Sequence, residues 1–319
     1  KFYVKSLSDR KTSTYNDLFE QMKTVGVELM EYEKDFVAST PSIVRISNDR
    51  YVMVVRYVNY SINEKGEYIQ KSTIETRNIL AIIERESDGQ PWKKVNECFI
   101  RHDKSYDAFY VGLEDVRLVS PNDSSQTSVL YSANRGLPDG NMSVEIGAVE
   151  IYTGNTIPPI FPSSPKQSKI EKNWVWVPYK TGHIMVYHWY PFVLGDVVDG
   201  NFVKTHEIEA PPCFRHLRGS TNGILIDNEI WFICHAVSYE DRRYYYHLFV
   251  VLDLDTMKLK KYSKLFNFSG EKVEYTLGFV DIKNEQQFLI GYSVMDRETH
   301  YMTINKHSIE KIGFIQCVQ

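Results

Sequence analysis

The sequence predicts an all-β protein, a five-bladed β-propeller with a short N-terminal helical lead-in. Three observations predict it. Much of the 319-residue chain falls into short runs of β-branched and aromatic residues bounded by turn signals, the pattern of strands joined by hairpins. One segment alone, near the N-terminus, spaces its apolar residues as a helix does. Five openings, each polar and then apolar, recur at intervals of roughly 45–75 residues, which fits blades of four strands.

Composition sets the outer bounds. Hydrophobic residues make up 43% and charged residues 24% of the chain, ordinary for a globular protein. The 22 Tyr, 16 Phe and 5 Trp suit a sheet core and a sugar-contacting surface equally. A net charge of −4 gives no electrostatic basis for binding nucleic acid or an anionic membrane surface. No apolar run approaches ~18 residues, so no membrane span is expected. No charged-then-apolar leader is visible, and the expected location is cytoplasmic. Cys98, Cys213, Cys234 and Cys317 are widely spaced and form no CxxC pair. That spacing disfavours a zinc site or a disulfide scaffold and favours reduced core thiols. Oligomeric state is open.

Taken in order, residues 1–40 read as a lead-in packed on the propeller. Ser13 or Thr14 would cap a helix over 15–30, with Leu18, Phe19, Met22 and Val25 on one face. Residues 41–319 form the propeller as a single domain. Strands are expected over 42–46, 51–60, 78–84, 129–133, 144–151 and 174–178, then 183–189, 223–226, 229–235, 244–252, 277–282, 288–294 and 301–304. Asn48-Asp49, Asp227-Asn228 and Lys283-Asn284 make turns between neighbours. The Pro/Ser-rich stretch 153–171 reads as a long connection between blades, because the strand rhythm resumes at Lys172. A domain boundary there, giving an irregular two-domain β protein, is the other reading.

The openings are Ser42-Ile-Val-Arg-Ile, Glu114-Asp-Val-Arg-Leu-Val, Lys172-Asn-Trp-Val-Trp-Val-Pro, Arg218-Gly-Ser-Thr-Asn-Gly-Ile and Tyr275-Thr-Leu-Gly-Phe-Val. Charged groups are expensive to bury unless paired. Glu114-Asp115-x-Arg117 therefore either caps a solvated edge or lines a polar cavity. Innermost strands of blades line a central channel, so the polar residues of five openings would converge on one pocket. The openings supply Glu114, Asp115, Arg117, Lys172, Asn173, Arg215, Arg218 and Asn222. Strands add Arg56, Asn59, Arg77, Arg135, His235 and Asp296, and the aromatic run 239–247 contributes Tyr246.

One or two carboxylates among several cations suit a substrate that carries phosphate, with an acid poised to donate a proton. A metal site would gather His, Cys or carboxylates instead. No GxSxG, P-loop or dinucleotide fingerprint occurs. Two residues have structural alternatives. Arg77 has Glu75 and Glu84 as partners on a solvated edge, and His235, beside Cys234 after Ile230-Trp-Phe-Ile, also reads as a satisfied core histidine.

The segment Gly112-Leu-Glu-Asp-Val-Arg-Leu resembles the G-x-E-D-P-R-I motif of glycoside hydrolase family 130 and of the related glycosyltransferase family 108. These are β-mannoside phosphorylases, mannosidases and mannosyltransferases. Arg77 in Thr76-Arg-Asn-Ile-Leu-Ala is similar to the Arg of that family's Ser-Arg-Ile-Gly-x-Ala strand. Glu171-Lys-Asn-Trp resembles the Lys-Asn segment opening its third blade, and Tyr292-Ser-Val-Met-Asp resembles the last-blade Gly-Ala-x-Asp. The matches span roughly residues 40–305 in the expected order.

The resemblance implies a five-bladed propeller with a central active site, and either an inverting β-mannoside phosphorylase or a mannose-1-phosphate-dependent β-mannosyltransferase. It makes Asp115 the general acid, acting through a hydroxyl of the bound sugar. Arg77 and Asp296 would hold the mannosyl unit, with Arg56, Asn59, Glu114 and Asn173 as further substrate contacts. Lys172, matched by motif, would join Arg135, Arg218, His235 and Tyr246 in a phosphate site; those four rest on position and charge. The partner is a sugar or oligosaccharide. No cofactor is expected beyond inorganic phosphate or a sugar 1-phosphate as co-substrate.

Val116 stands where the family has Pro, and the family's Leu-Phe-Pro after the third-blade Lys is absent, so the sugar is open. An inverting hydrolase needs a carboxylate base for water. Lys172 opens the third blade instead, which favours phosphorolysis or its reverse. A non-catalytic glycan-binding propeller and an inverting glycoside hydrolase of related fold are the alternatives.

Overall fold

Short β-rich runs separated by turns pair mostly antiparallel with their sequence neighbours, and in the computed structural model the described residues form six sheets, five larger ones and a two-stranded one of Ser61–Ile62 with Tyr68–Ile69. The residues described are 5–6, 10–14, 35–69, 72–85, 92–121, 123, 125–166, 168–282 and 286–317. The helix expected over 15–30 lies outside them. Among the described residues no helix is long and apolar enough to cross a membrane.

The first sheet holds Val37–Arg45, Arg50–Val58, Ile74–Glu84 and Lys93–Phe99 side by side. The second holds Glu114–Leu118, Ser128–Gly136 and Met142–Glu150. Val175–Tyr179, Gly182–Trp189, Phe192–Val198 and Asn201–Ile208 form the third. In the fourth, Leu217–Gly219 and Ile224–Ile226 both pair with Glu229–Tyr239, followed by Arg243–Asp253 and Leu259–Ser263. The fifth runs Glu274–Ile282, Gln287–Val294 and Glu298–Asn305.

The fifth sheet's outer edge is filled from the other end of the chain. Arg10–Thr14 pairs antiparallel with Glu298–Asn305, from Arg10 opposite Ile304 to Thr14 opposite His300. Ser13 and Thr14 are thus strand residues. The described residues of 153–171 run along the second sheet, where Thr156 bridges Val149, Ile160 bridges Ile146 and Ile170 bridges Met142, and touch the third where Ser163 bridges Asn201. The connection occupies the edge where a fourth strand would lie.

In every sheet the first strand of the segment sits on one edge, and these inner strands meet one another. Val37–Arg45 packs on Glu114–Leu118 and Glu274–Ile282, and Ile224–Ile226 packs on Val175–Tyr179 and Glu274–Ile282. The five sequence openings fall on these inner strands. Sheets flank them on both sides, so they are buried on both faces and read as continuous apolar runs. The apolar core lies between neighbouring sheets. Trp231, Phe249, Phe266, Phe279 and Phe288 fill the space between the fourth and fifth, and Val175, Trp189, Phe192 and Phe232 that between the third and fourth.

Where the inner strands meet, the filling is polar. Arg117 is 1% exposed. Its guanidinium donates to the Ser220 carbonyl (2.8 Å), the Asp115 carbonyl (3.1 Å), Asn173 Oδ1 (3.2 Å) and the Tyr275 hydroxyl (2.8 Å). The four acceptors belong to the fourth, second, third and fifth segments. Hydrogen bonds to a charged group contribute ~1.5–3 kcal/mol each, and a buried acceptor left unpaired costs about as much. Arg117→Met keeps the length and removes every donor. It should lower the unfolding free energy by on the order of 3 kcal/mol, read as a shifted urea midpoint. A change under ~1 kcal/mol would show that the sheets associate without it.

Candidate active site

The inner strand of the second sheet is irregular at its start. Its register against Ser128–Gly136 jumps between Glu114 and Arg117, and Asp115 has a left-handed φ of 55°. In a regular strand Glu114 and Asp115 would face opposite sides. The bulge re-aims them, and both line one cavity. Gly112, at φ 87°, makes the approach possible: a Cβ there would sit 2.0 Å from the Thr76 carbonyl oxygen. Two other cavity residues, Asn173 (φ 63°) and Asp296 (φ 53°), are also left-handed. Such a backbone is uncommon outside glycine, and strained positions gather at functional sites.

The cavity, of about 60 Å³, is walled by Arg56, Tyr68, Glu114, Asp115, Lys172, Asn173, Arg218, His235, Tyr245, Val273, Tyr275 and Asp296. A larger space of about 240 Å³ touches the other ends of the same inner strands, but Ile43, Leu118, Trp176, Ile224, Leu277 and Phe279 make it chiefly apolar. Reactive groups converge only on the smaller one.

Arg56 organises the carboxylates. It donates to Asp115 Oδ1 at 2.8 Å and to the Tyr60 hydroxyl at 2.8 Å, and lies 3.9 Å from Glu114 Oε1. The Tyr60 hydroxyl donates in turn to Asp296 Oδ2 at 3.3 Å. Asn134 donates to Asp115 Oδ2 (3.2 Å) and accepts the Asn173 backbone N–H (3.1 Å). Burial pulls the Arg56 pKa down, but Tyr60, Asp115, Glu114 and Asp296 together hold it well above its ordinary value. Burial raises the Glu114 pKa against the pull of Arg56, with Asp115 adding to the rise. The same balance raises Asp296. His235 is pushed well below the ordinary histidine range, first by burial and then by His247, Arg218, Arg117 and Lys172. Its neutral ring bonds Ser220 Oγ through Nδ1 at 2.7 Å and stacks on Tyr245. Burial lifts the Tyr68 hydroxyl to about 12.

Lys172 and Arg218 complete the wall. Both are exposed, and among the described residues neither forms a hydrogen bond or ion pair with the protein. A bound anion would meet two uncommitted cations there.

Of the residues singled out in the sequence, the fold brings together Arg56, Glu114, Asp115, Lys172, Asn173, Arg218, His235 and Asp296. Seven others do not line the cavity, among them Arg117, whose contacts join the inner strands. Arg77 pairs with Glu75 at 2.9 Å and stacks over Phe36. It stands opposite Tyr57, whereas Arg56 stands opposite Asn78, so strand alternation sends the two arginines to opposite faces. Asn59 uses its amide on the Thr73 carbonyl and the Glu75 N–H, bracing its own loop. Arg135 is fully buried. It donates to the Gly112 and Asp103 carbonyls and pairs with Asp107 at 2.8 Å, holding the segment that leads to Asp115. Tyr246 is one residue out of phase, and its neighbour Tyr245 faces the cavity.

Asn222 ties Trp176 N–H to the Leu118 carbonyl at the apolar end. Arg215 lies in a groove beside the cavity. Tyr60, Tyr68, Tyr245 and Tyr275 were missed as site residues, although Tyr275 heads an opening. The cysteines are free, but only Cys234 is buried and Cys213 is exposed, so they are not all core thiols.

The fold is shared with a mannoside phosphorylase. Solved structures similar to this chain include the β-1,2-mannobiose phosphorylase from Listeria innocua in complex with β-1,2-mannobiose, at a TM-score of 0.59 and 12% identity over 89% of this chain and 94% of that one. MPT-1, a GDP-Man-dependent mannosyltransferase from Leishmania mexicana, gives 0.52 at 14% identity over 92% and 95%. CoXyl43, a GH43 β-xylosidase/α-arabinofuranosidase from a compost microbial metagenome, in complex with xylotriose, gives 0.56 at 8% identity over 85% and 91%. No family model matches the chain, and no curated protein matches it in sequence. The relationship to the mannoside phosphorylases is distant and is one of fold.

The raised carboxyl pKa values carry a consequence for stability. Folded Glu114 and Asp296 keep their protons to higher pH than the unfolded chain, whose carboxyls titrate near ~4. Between those values the folded state binds more protons, so this contribution to stability is present at low pH and lost as pH rises. Asp296→Asn keeps an acceptor for Tyr60 and removes the titration. Urea unfolding at pH 4.5 and pH 7 should show a shallower fall in stability for the variant than for the wild type. Identical pH dependence would refute the raised value.

Proposed function

We propose that the chain is a carbohydrate-active enzyme built as a five-bladed propeller, an inverting β-mannoside phosphorylase or a mannose-1-phosphate-dependent β-mannosyltransferase. One observation carries the reading: three carboxylates gathered on Arg56 share a small polar cavity with two uncommitted cations, Lys172 and Arg218. The shared fold supports sugar chemistry. It does not choose the reaction, since one similar structure is a phosphorylase and another a xylosidase. The two uncommitted cations support phosphorolysis or its reverse. A hydrolase of inverting type needs a carboxylate to activate water on the face opposite the acid; here Lys172 and Arg218 offer that face positive charge.

In the phosphorolytic direction, phosphate sits on Lys172 and Arg218, with the neutral His235 ring and the Tyr245 hydroxyl as hydrogen-bonding neighbours. Arg56 and Asp296 hold the mannosyl hydroxyls. A phosphate oxygen bonds to the anomeric carbon as the glycosidic C–O bond breaks. The leaving oxygen takes a proton supplied by Asp115 through a sugar hydroxyl, and inversion of a β-mannoside gives α-mannose 1-phosphate. No cofactor is needed beyond this phosphate. Glu114 is the second candidate for the acid, favoured by its raised pKa where Asp115 is ion-paired with Arg56.

Incubation with mannose 1-phosphate and a panel of sugar acceptors should release inorganic phosphate. Asp115→Asn should cut that release by ~10²–10⁴-fold, the usual contribution of a general acid, while the variant, although less stable for the loss of Arg56's partner, still folds with the wild-type circular-dichroism spectrum. If Glu114→Gln loses turnover and Asp115→Asn keeps it, the acid is Glu114. Sugar binding without phosphate release from any acceptor would point to a glycan-binding protein. Free mannose from oligosaccharides without phosphate would point to a hydrolase.

A further inference from the structure

Lys172, Asn173 and Arg218 belong to two spaces at once. On one side is the small cavity; on the other is a groove of about 590 Å³ whose far wall carries Lys166 and Arg215. Both outer residues are exposed and held by neutral neighbours. Lys166 Nζ lies 3.4 Å from His188 Nε2, and Arg215 stacks 5.0 Å from the centre of the Tyr190 ring. The one carboxylate in the groove, Glu171, already accepts from Ser164 (2.7 Å), Trp174 (3.3 Å) and Tyr187 (3.3 Å).

Four cations therefore face one carboxylate, on a chain whose net charge is −4. A single phosphate in the cavity has Lys172 and Arg218 for partners and leaves Lys166 and Arg215 over. Positive potential along a groove attracts ligands of the opposite sign and sets which ones enter.

We propose that this groove binds the non-mannosyl reactant as an anion, a molecule bearing its own phosphate group. That reactant is a sugar phosphate acceptor, its phosphate ester some distance from the reacting centre. Its place in the reaction rests on the enzymatic reading above; the anion binding itself does not.

Calorimetric titration of the wild-type protein with hexose 6-phosphate, a nucleoside diphosphate and the unmodified hexose tests it. Hexose 6-phosphate should bind ten-fold or more tightly than the neutral hexose, and its affinity should fall as salt is raised from about 0.05 to about 0.5 M. Lys166→Ala combined with Arg215→Ala, two exposed positions outside the core, should remove that preference. Binding of hexose 6-phosphate would mark an acceptor, and binding of the nucleoside diphosphate alone would overturn the proposal. Equal affinity for the neutral hexose, or a double variant that binds as the wild type does, overturns the proposal. Asp115→Asn should keep the anion preference. A protein that binds these anions yet never releases phosphate from mannose 1-phosphate would thus fail the enzymatic reading and not this one.

Discussion

A buried guanidinium is the constraint on which the rest of this structure depends. Arg117 reaches acceptors contributed by four of the five sheet segments. A cation taken out of water is tolerated only when its donors are matched by well-placed acceptors. Matching them fixes the inner strands relative to one another. The same acceptors are parts of the site or adjoin it: the backbone of Asp115, the side chain of Asn173, the hydroxyl of Tyr275 and the carbonyl of Ser220, whose own hydroxyl holds His235. Assembly of the fold and assembly of the cavity are one event.

The cavity divides its charges unevenly. Glu114, Asp115 and Asp296 are tied to Arg56 directly or through Tyr60, so their mutual repulsion is offset within the protein. Lys172 and Arg218 have no such ties among the described residues. Fixed dipoles and charges set before a ligand arrives need no reorganisation during reaction. Left-handed backbone at Asp115, Asn173 and Asp296 shows where the chain accepts local strain to aim these groups.

A fold shared by a phosphorylase, a mannosyltransferase and a xylosidase is a scaffold, and chemistry is set by the side chains grafted on it. In the proposed reaction these are the cations of the third and fourth segments and the groove they open into. Arg135 illustrates the opposite case, a charged residue near the site whose work is to hold the Gly112 turn.

The sequence by itself determined the strands, the five inner-strand openings and the Glu-Asp-x-Arg segment, because period-two alternation, turn residues and adjacent charges are local properties. Eight of the residues singled out in the sequence line one cavity; five of them head those openings, while Arg56, His235 and Asp296 come from other strands or their ends. Tertiary structure alone decided that Arg56 and not Arg77, and Tyr245 and not Tyr246, face the cavity. Each choice is a matter of one residue's phase, and phase follows from register against a neighbouring strand. The bulge at Asp115 also escaped the sequence, for it exists only through pairing with Ser128–Gly136. Local pattern names the groups that must be satisfied; only the packed sheets say which partner satisfies each.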